Sequence, residues 1–506
     1  MPVFLIRCVL KSANFTCNFL HNGLQPKSLI MRLIVSLLSI LLLAVQCGQE
    51  KPQQTLKDWT STYRVDSGMP VSLALTAYKT TMVADGKDQT LIRATAIDST
   101  GKEISDADLP IRIYITGNAT VVPLPDGKPL EPVAGEDSVV YRESRIVNGT
   151  CSFYFVAGTK PDRIKLEVRS DSLWPASHEI HTIGPGYTYQ VPTKAQLKTT
   201  RKEIGRMLGA DISFLPQMED RGTKFIVNGT EKDAVKALAD EGFNCIRLRI
   251  FVNPENEKGY SPEKGFCGLE YTKQMARRTK DAGMKILLNF HYSDYWADPQ
   301  QQNKPLAWQD LSFEQLKKRV GEYTKEVLLA LKEQGTMPEM VQIGNEINHG
   351  MLWPDGHISN PDQLAELLKA GVEAVREVDP ETIVMLHIAL GGQNDESVSW
   401  LDNMIARDVK FDIIGLSYYP RWHGTLDDLQ KNLFDLVKRY NKPVNVVEYS
   451  QYPEELHEII FSLPDDAGKG TCNWEPLRAM FGRDGVANEN LFVYKGISEK
   501  YYSGKE

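Results

Sequence analysis

The stretch Val341-Gln342-Ile343-Gly344-Asn345-Glu346 decides the fold prediction for most of this chain. An apolar run that favours β structure leads into a glycine, and two polar residues follow where a buried strand would end. A second run of the same shape, Pro443-Val444-Asn445-Val446-Val447-Glu448, lies further along the chain. Two strands that each end on a glutamate predict a pair of carboxylates at one rim of a sheet. In β/α barrels, that rim is where the chemistry takes place.

Apolar strands alternate with amphipathic helices from about residue 200 onward, which indicates β/α units around a parallel sheet. The eight predicted strands are Met207–Ile212, Cys245–Phe251, Lys285–Phe290, Met340–Gly344, Ile383–His387, Phe411–Leu416, Val444–Val447 and Thr471–Trp474. Eight such units within residues 200–502 predict an α/β fold of the (β/α)8, or TIM, barrel type. A doubly wound open sheet is the alternative, but no glycine-rich phosphate loop follows the first strand.

The polar residues that follow barrel strands face one shared pocket. Glu346 and Glu448 end the fourth and seventh predicted strands, which lie on roughly opposite sides of an eight-stranded barrel. Cleavage of a glycosidic bond needs a proton donor for the leaving oxygen and a carboxylate that meets the oxocarbenium-like carbon. We therefore predict a glycoside hydrolase in which Glu346 is the acid/base and Glu448 is the nucleophile. A separation of about 5–5.5 Å between the carboxyl groups would indicate retention of configuration.

Further residues at the strand ends are predicted to bind the sugar. Arg247 is predicted to keep the nucleophile ionised, and strand alternation is expected to place Arg247 but not Arg249 inside the barrel. Asn345 is predicted to bond the 2-hydroxyl of the sugar in the cleavage subsite. The other predicted substrate-binding residues are Asp211, His291, Asp294, Trp296, His387, Tyr418, Trp422 and Trp474. The structural alternatives are an ion pair for the arginine and packing for the histidine and tryptophan rings.

Residues 67–184 are predicted to form an all-β domain. The run 71–77 alternates apolar and polar residues with period two, and Ala84-Asp85-Gly86 is a turn signal. Short strands between turn signals predict a β-sandwich, and this turn with the threonine-rich strand after it resembles bacterial immunoglobulin-like domains of the invasin type. We expect a spacer or a support that packs on the barrel. Sugar binding through Trp174 or Tyr154 is the alternative.

Residues 1–47 are predicted to be a targeting segment. Met31-Arg32 precedes the apolar run 33–45, which is shorter than the roughly 20 residues of a membrane-spanning helix. Cys47 follows directly and resembles a bacterial lipoprotein attachment site, with plain signal cleavage as the alternative. We expect translation to start at Met31 and residues 48–66 to be a linker. The predicted location is the cell surface of a Gram-negative bacterium, as an outer-membrane lipoprotein that contacts the membrane only through its lipid anchor.

Composition narrows the classes of partner. The chain has 506 residues, which predicts two domains, and its net charge of −8 without basic clusters argues against nucleic acid as a partner. The cysteines outside the targeting segment show neither a CxxC pair nor regular spacing, so neither a disulfide framework nor a zinc site is indicated. We expect a monomer that uses no metal or cofactor in catalysis.

Several segments together resemble glycoside hydrolase family 53, the endo-β-1,4-galactanases. They are Gly209-Ala210-Asp211-Ile212-Ser213, the run 246–254, the run 290–299, Gln342-Ile343-Gly344-Asn345-Glu346, the run 414–420, Trp422-His423-Gly424-Thr425-Leu426 and Trp474-Glu475-Pro476. The resemblance covers residues 200–480 in the family's order. It implies a (β/α)8 barrel and endo-acting, retaining cleavage of β-1,4 linkages in galactan or type I arabinogalactan, which yields galacto-oligosaccharides. By position, the family's acid/base falls on Glu346 and its nucleophile on Glu448.

The sequence departs from the family pattern after the nucleophile. Tyr449-Ser450 follows where the family has a threonine and a small or aromatic residue, and the connection to the eighth strand is short. Bacterial relatives carry an acidic calcium-binding loop in that connection, but the segment Asp465-Asp466-Ala467-Gly468 is too sparse to replace it. The resemblance therefore leaves a structural calcium without its family ligands. The alternatives to an endo-galactanase are a related retaining barrel hydrolase, such as an exo-β-galactosidase, and a non-catalytic glycan-binding lipoprotein.

Overall fold

The computed structural model describes residues 68–124, 127–134, 139–184, 187–198 and 202–502. The predicted targeting segment, Cys47 and the linker lie outside the described residues. A β-sandwich and a barrel follow one another along the chain and belong to one compact unit. This arrangement confirms the predicted fold class, an α/β barrel preceded by an all-β domain.

Ten strands in two sheets form the described part of the sandwich. They are β1 (Ser72–Ala77), β2 (Thr81–Val83), β3 (Gln89–Ile97), β4 (Leu109–Thr116), β5 (Ala119–Pro123), β6 (Val133–Ala134), β7 (Val140–Ile146), β8 (Thr150–Ala157), β9 (Asp162–Arg169) and β10 (Ala176–Ile183). One sheet has the order β1-β3-β8-β5 and the other the order β2-β10-β9-β4-β7-β6. Strand β8 shows why these residues form a sandwich. Phe153, Phe155 and every second residue beside them are buried between the sheets, and the residues in between are partly exposed, as expected for a strand with one face in the core.

The strands of the second region are β11 (Met207–Asp211), β12 (Ile226–Val227), β13 (Thr230–Glu231), β14 (Cys245–Ile250), β15 (Lys285–Phe290), β16 (Met340–Ile343), β17 (Gly350–Met351), β18 (Gly356–His357), β19 (Ile383–Ile388), β20 (Ile413–Tyr418), β21 (Val444–Tyr449) and β22 (Gly468–Trp474). Eight of them close into a barrel in the order β11-β14-β15-β16-β19-β20-β21-β22. The pairs are parallel, and β22 returns to β11. The remaining four form two short antiparallel hairpins.

Helices cover the outside of the barrel. They are α1 (Lys194–Leu197), α2 (Leu215–Asp220), α3 (Ala234–Asp240), α4 (Leu269–Asp281), α5 (Phe313–Glu333), α6 (Pro361–Val378), α7 (Asn394–Ala406), α8 (Pro420–His423), α9 (Leu426–Tyr440), α10 (Pro453–Phe461), α11 (Leu477–Met480) and α12 (Glu489–Tyr501), with 3-10 turns at Leu306–Trp308, Ile347–His349 and Pro464–Asp466. Helix α5 begins at a capping box between Ser312 and Gln315, and buries one apolar stripe. Within the described residues, no helix combines the length and the apolar character needed to cross a bilayer.

The barrel interior has an apolar floor and a polar layer above it. The floor is a cluster of buried residues that contains Ile204, which precedes β11, and one residue from each of the eight strands: Met207, Cys245, Leu287, Met340, Met385, Ile413, Val447 and Cys472. Because strand side chains alternate, residues two positions after these also face inward. On β14, β15, β16 and β19 these residues are Arg247, Asn289, Gln342 and His387, all buried. The polar layer therefore lies directly beneath the strand ends.

The sandwich packs on the end of the barrel where the strands terminate. Helix α8 contacts both β1 and β10 of the sandwich. Asp428, at the start of α9, accepts a hydrogen bond of 2.8 Å from the Thr76 hydroxyl and pairs with Arg93 at 2.5 Å. Glu396 on α7 accepts a bond of 2.8 Å from the Thr81 hydroxyl. Residues of α7, α8 and α9 thus contact a second domain.

Candidate active site

Glu346 lies on a tight turn directly after β16. Gly344 has a φ of +80°, and a Cβ there would lie 2.6 Å from Cγ2 of Ile347. Glu346 itself has a φ of 49°, a left-handed conformation that is unusual for a residue with a side chain. The side chain of Gln302 stabilises the turn, because its Nε2 donates to the carbonyl of Asn345 at 2.8 Å. The turn directs the Glu346 side chain into the pocket.

Glu448 reaches the pocket because β21 contains a bulge. Leu416 on β20 pairs with Val446, and the next residue, Ser417, pairs with Glu448, so that Val447 is an extra residue. Val447 faces the apolar floor. Strict alternation would therefore turn Glu448 outward, and the bulge rotates it back toward the inside. Bulges next to active sites commonly re-aim a side chain in this way.

The two glutamates meet in the pocket. One carboxylate oxygen of Glu346, one of Glu448 and a ring nitrogen of His387 all lie within 4.8 Å of one another. Both carboxylates are largely buried. Carboxyl groups about 5–5.5 Å apart are typical of retaining glycosidases, whereas inverting enzymes need about 6.5–9.5 Å to admit a water. The short separation favours the retaining arrangement.

The side chain of Glu346 accepts its hydrogen bond from a neutral group. The Ser417 hydroxyl donates to Oε1 of Glu346 at 2.6 Å, and Nε2 of His387 lies 2.8 Å from that hydroxyl. The backbone N–H of Glu346 donates to Nδ1 of His387 at 3.4 Å. Burial raises the pKa of Glu346 well above its usual value, and the charge of Glu448 raises it further. Glu346 therefore keeps a proton that it can donate.

Glu448 is surrounded by donors. Nη1 of Arg247 lies 3.0 Å from Oε2 of Glu448, and the Tyr419 hydroxyl donates to Oε1 at 3.0 Å. Burial raises the pKa of Glu448, but the Arg247 charge and these hydrogen bonds act in the opposite direction. The same arginine atom lies 3.0 Å from Oδ2 of Asp211. A cation and a hydroxyl therefore favour the ionised form of Glu448.

Both arginines of β14 face the barrel interior, so the expectation that Arg249 points outward is wrong. Residues two positions apart share one face of a strand, and both side chains are 1% exposed. The guanidinium of Arg249 forms an ion pair with Glu475, and it lies 3.5 Å from Asp211. Its carbon is 4.3 Å from the ring centre of Trp296, within cation–π range. Arg249 thus supports the pocket wall next to Arg247 and Asp211.

Asn345 is held by its neighbours. Its Oδ1 accepts hydrogen bonds from Nη2 of Arg247 at 2.7 Å and from Nδ2 of Asn289 at 2.9 Å. Its Nδ2 donates to the carbonyl of Ala297 at 2.8 Å. Among the described residues this leaves the second amide hydrogen for another acceptor. Binding of a sugar hydroxyl by Asn345 stays a prediction, and the amide could contribute to it only as a donor.

Tyr418 is not positioned to bind a sugar, which corrects the sequence prediction. It is 1% exposed, packs between the barrel and its helices, and donates its hydroxyl to the carbonyl of Gly424 at 3.2 Å. Alternation along β20 turns Ser417 inward and Tyr418 outward. Ser417 and Tyr419, on either side of it, contact the two carboxylates. Attention to the period-two pattern of the strand could have found Ser417.

The remaining predicted residues line or support the same end of the barrel. His291 is buried and accepts the backbone N–H of Ala297 at 3.1 Å. Asp294 ties loops together, because its oxygens accept the backbone N–H groups of Asn253 at 2.9 Å and Leu306 at 2.8 Å. Sugar binding by either residue stays a prediction.

All three tryptophans that were predicted to bind the sugar are partly accessible. Trp296 and Trp474 are half-buried, and their ring centres lie 6.2 Å apart at an angle of 61°. Trp422 on α8 is 37% exposed, and its ring contacts that of Tyr419 at 5.5 Å. Flat rings in these positions suit stacking on sugars, and that role also stays a prediction.

The acidic segment before β22 does not present a set of free cation ligands. Asp466 pairs with Arg206 and with Lys469, both at 2.7 Å. Within the described ranges, the one group of three histidine or acidic residues close enough to share an ion is Glu346, His387 and Glu448, the carboxylate site itself. The residues present here therefore do not fit the calcium loop of bacterial relatives.

Two parts of the chain match known family models. Residues 207–458 match the model described as glycosyl hydrolase family 53. Residues 73–179 match the model described as glycoside hydrolase family 2 C-terminal domain 5. The second match covers the sandwich, for which the sequence suggested a resemblance to invasin-type domains.

Relatives and solved structures agree with the first match. The chain is 33% identical to an arabinogalactan endo-β-1,4-galactanase of Humicola insolens, over 57% of this chain and 98% of the relative. It is 47% identical to an uncharacterised protein of Niallia circulans, over 54% of this chain and 84% of that protein. The structure of a family 53 catalytic domain from Ignisphaera aggregans aligns with a TM-score of 0.55 and 31% identity, over 60% of this chain and 98% of that domain.

Proposed function

Because the chain belongs to glycosyl hydrolase family 53, we propose that it is a retaining endo-β-1,4-galactanase. Its substrate is galactan or type I arabinogalactan, and its products are galacto-oligosaccharides. The observation that carries the proposal is the buried pair Glu346 and Glu448, whose oxygens approach within 4.8 Å at the end of a closed barrel. The substrate class follows from relatives named as arabinogalactan endo-β-1,4-galactanases.

In the first step, Glu448 attacks the anomeric carbon of the galactosyl unit while Glu346 gives its proton to the glycosidic oxygen. The bond between these two substrate atoms breaks, and the chain on the far side of it leaves as an alcohol. A galactosyl ester of Glu448 remains, with inverted configuration. Arg247 and the Tyr419 hydroxyl orient the attacking carboxylate, because each contacts one of its oxygens at 3.0 Å.

In the second step, water attacks the same carbon and Glu346 takes a proton from it. The ester bond breaks, Glu448 leaves as a carboxylate, and the second inversion restores the β configuration. Formation of the ester lowers the pKa of Glu346, which suits its change from acid to base. The charge of Glu448 is one of the causes of the raised pKa of Glu346, and esterification removes that charge. The pKa of Glu346 therefore falls when the residue must act as a base.

Product analysis on debranched galactan tests the proposal. The wild-type protein is expected to release short β-1,4-galacto-oligosaccharides, with β-anomeric reducing ends in the first minutes of an NMR time course. Galactose as the sole product would instead indicate an exo-β-galactosidase. If no new reducing ends form, the hydrolase proposal is rejected, and binding of galactan without turnover would identify a glycan-binding protein.

We further propose that the mature protein is a monomer tethered through a lipid on Cys47, at the surface of a Gram-negative outer membrane. The support is the order of the segment: Met31-Arg32, an apolar run, a cysteine and then the polar linker 48–66. Radioactive palmitate should label the wild type but not the variant Cys47→Ser. Light scattering on residues 48–506 should give the mass of one chain. Label in both proteins, or a dimer mass, would overturn the corresponding part.

A further inference from the structure

The loop that carries Trp422 lies against the sandwich. Helix α8 contacts β1 and β10. Gly424, which ends this helix, has a φ of +79°, and a Cβ there would lie 2.2 Å from the Thr76 hydroxyl oxygen. Such a close approach means that the loop and strand β1 leave no space between them. The sandwich therefore restricts the movement of α8.

The side chain of Trp422 is anchored to the sandwich by a specific hydrogen bond. Its indole Nε1–H donates to the hydroxyl oxygen of Ser177, on β10, at 3.1 Å. Nε2 of Gln393 donates to the carbonyl of Trp422 at 2.7 Å and lies 3.3 Å from Nε2 of His178. Ser177 of β10 thus contacts the Trp422 ring, and the next residue, His178, lies beside the Gln393 amide that binds the Trp422 backbone.

Trp422 connects this interface with the nucleophile. Its ring meets that of Tyr419 nearly edge to face, at 79°, and the Tyr419 hydroxyl donates to Glu448. Trp422 as a residue is 37% exposed, whereas Ser177 is 7% exposed. One edge of the indole is therefore fixed in the domain interface, and the Arg421 guanidinium lies over one face at 5.6 Å from the ring centre, which leaves the opposite face for a ligand. An indole fixed at its N–H presents its face in one orientation, which is what stacking on a sugar ring needs.

We propose that Ser177 of the sandwich is a positioning residue for the galactanase reaction. By accepting the indole N–H, it holds the Trp422 ring so that its open face stacks on a galactosyl unit near the nucleophile. This inference depends on the proposed function. It assigns the sandwich a role in substrate affinity that neither a spacer nor an independent sugar-binding domain would have.

The test is a double-mutant cycle between the two domains. Ser177→Ala removes the acceptor, and Trp422→Phe removes the donor but keeps an aromatic ring. Each is expected to raise KM for galactotetraose roughly three- to tenfold, the usual effect of one hydrogen bond, with kcat changed less than about twofold. The double variant should show no larger KM than Trp422→Phe alone, because both changes remove the same contact.

Ser144→Ala is the matched control. Ser144 lies on β7 of the same sandwich and contacts Cys151 within that domain, 3.3 Å from its sulfur. The variant Ser144→Ala should leave KM unchanged. Its melting temperature shows how much the loss of one sandwich hydroxyl changes the stability. A normal KM in Ser177→Ala, or effects that multiply in the double variant, would overturn the inference.

Two further measurements test the contact between Ser177 and Trp422 if the first variant does not fold or if turnover complicates KM. If Ser177→Ala does not fold, Trp422→Phe alone tests the contact from the barrel side, and an unchanged KM contradicts it. Binding of galactotetraose to Glu448→Gln, with and without Ser177→Ala, should show the same three- to tenfold loss of affinity without turnover. Lack of wild-type activity on galactan would reject the proposed function itself, a result distinct from any difference between these variants.

Discussion

The surroundings of Glu346 and Glu448 differ although the two side chains are chemically identical. Glu346 accepts a hydrogen bond from Ser417, a neutral group, whereas Glu448 contacts the Arg247 cation and the Tyr419 hydroxyl. Burial raises the pKa of both, and the charge of Glu448 raises that of Glu346 further. These effects favour the protonated form of Glu346, whereas Arg247 and Tyr419 favour the ionised form of Glu448.

This difference shows that the neighbours assign the roles of acid and nucleophile. A pair of titratable groups whose environments push their pKa values apart forms an acid and base set. The neighbours come from two strands, since Arg247 lies on β14 and Ser417 and Tyr419 lie at the end of β20, whereas one carboxylate follows β16 and the other lies on β21. Changing a neighbour should therefore alter mainly the role of the carboxylate that it contacts.

Removal of the carboxylates should have the largest effect. Glu448→Ala is expected to reduce kcat by roughly 10⁴-fold or more, since no covalent intermediate can form. Glu346→Ala should cost roughly 10²–10⁴-fold, the usual contribution of general acid–base catalysis. Stopped assays on an aryl β-galactobioside measure both losses.

Added azide distinguishes the two roles. In Glu448→Ala it should replace the nucleophile and yield an α-galactosyl azide after one inversion. In Glu346→Ala it should attack the ester in place of water and yield the β-anomer. NMR of the products identifies the anomer, and the reverse pattern would exchange the two assignments.

Loss of Arg247 should have the next largest effect and should act mainly on Glu448, the carboxylate that it contacts. Arg247→Met leaves Glu448 buried without its cation and Asp211 with Arg249 as its remaining cation, at a cost of roughly 3–5 kcal/mol in the free energy of unfolding. Because Arg247 lowers the pKa of Glu448, its removal raises that pKa. The acidic limb of kcat/KM should therefore move to higher pH.

Arg249→Met is the matched control for this effect. It also buries an unpaired acid, Glu475, so denaturant melts should show a comparable loss of stability. The acidic limb of the pH profile of kcat/KM should not shift in this variant, because Arg249 contacts neither catalytic carboxylate in the described structure. Equal shifts in both variants would mean that the limb does not report Glu448.

Ser417→Ala should have a smaller effect on the opposite limb. The Ser417 hydroxyl stabilises the ionised form of Glu346 and so lowers its pKa. Without that hydroxyl the pKa rises, and the basic limb of kcat/KM should move to higher pH with a modest loss of rate. A pH profile on debranched galactan measures the shift, and Ser144→Ala should leave it unchanged. Movement to lower pH would contradict the assignment of Glu346 as the acid.

Removal of divalent metal ions should have the smallest effect. Asp466 is already paired with Arg206 and Lys469. EDTA is therefore expected to change neither the melting temperature nor kcat, and the differences between the two carboxylates should persist in its presence. A fall in melting temperature that calcium reverses would show that other residues hold an ion.

Much of the fold could be predicted from local pattern. All eight barrel strands were located within a few residues, because a buried parallel strand is a short apolar run and such runs alternate with helical stretches. The glutamates were found because each directly follows such a run. Residue type alone did not show which residue at the end of β20 faces the pocket. Ser417, Tyr418 and Tyr419 are all polar or aromatic, and they differ in the direction that each side chain faces.

By itself, the sequence determined which strands form the barrel and which residues stand at their ends, because periodicity is a local property of the chain. Tertiary structure alone decided that Glu448 faces inward, since a bulge depends on the register with β20. It also decided that Arg247 contacts Glu448 and that Ser177 contacts Trp422. These contacts join residues far apart in the chain, and no spacing in the sequence records them, because they form only when the barrel closes and the sandwich packs against it.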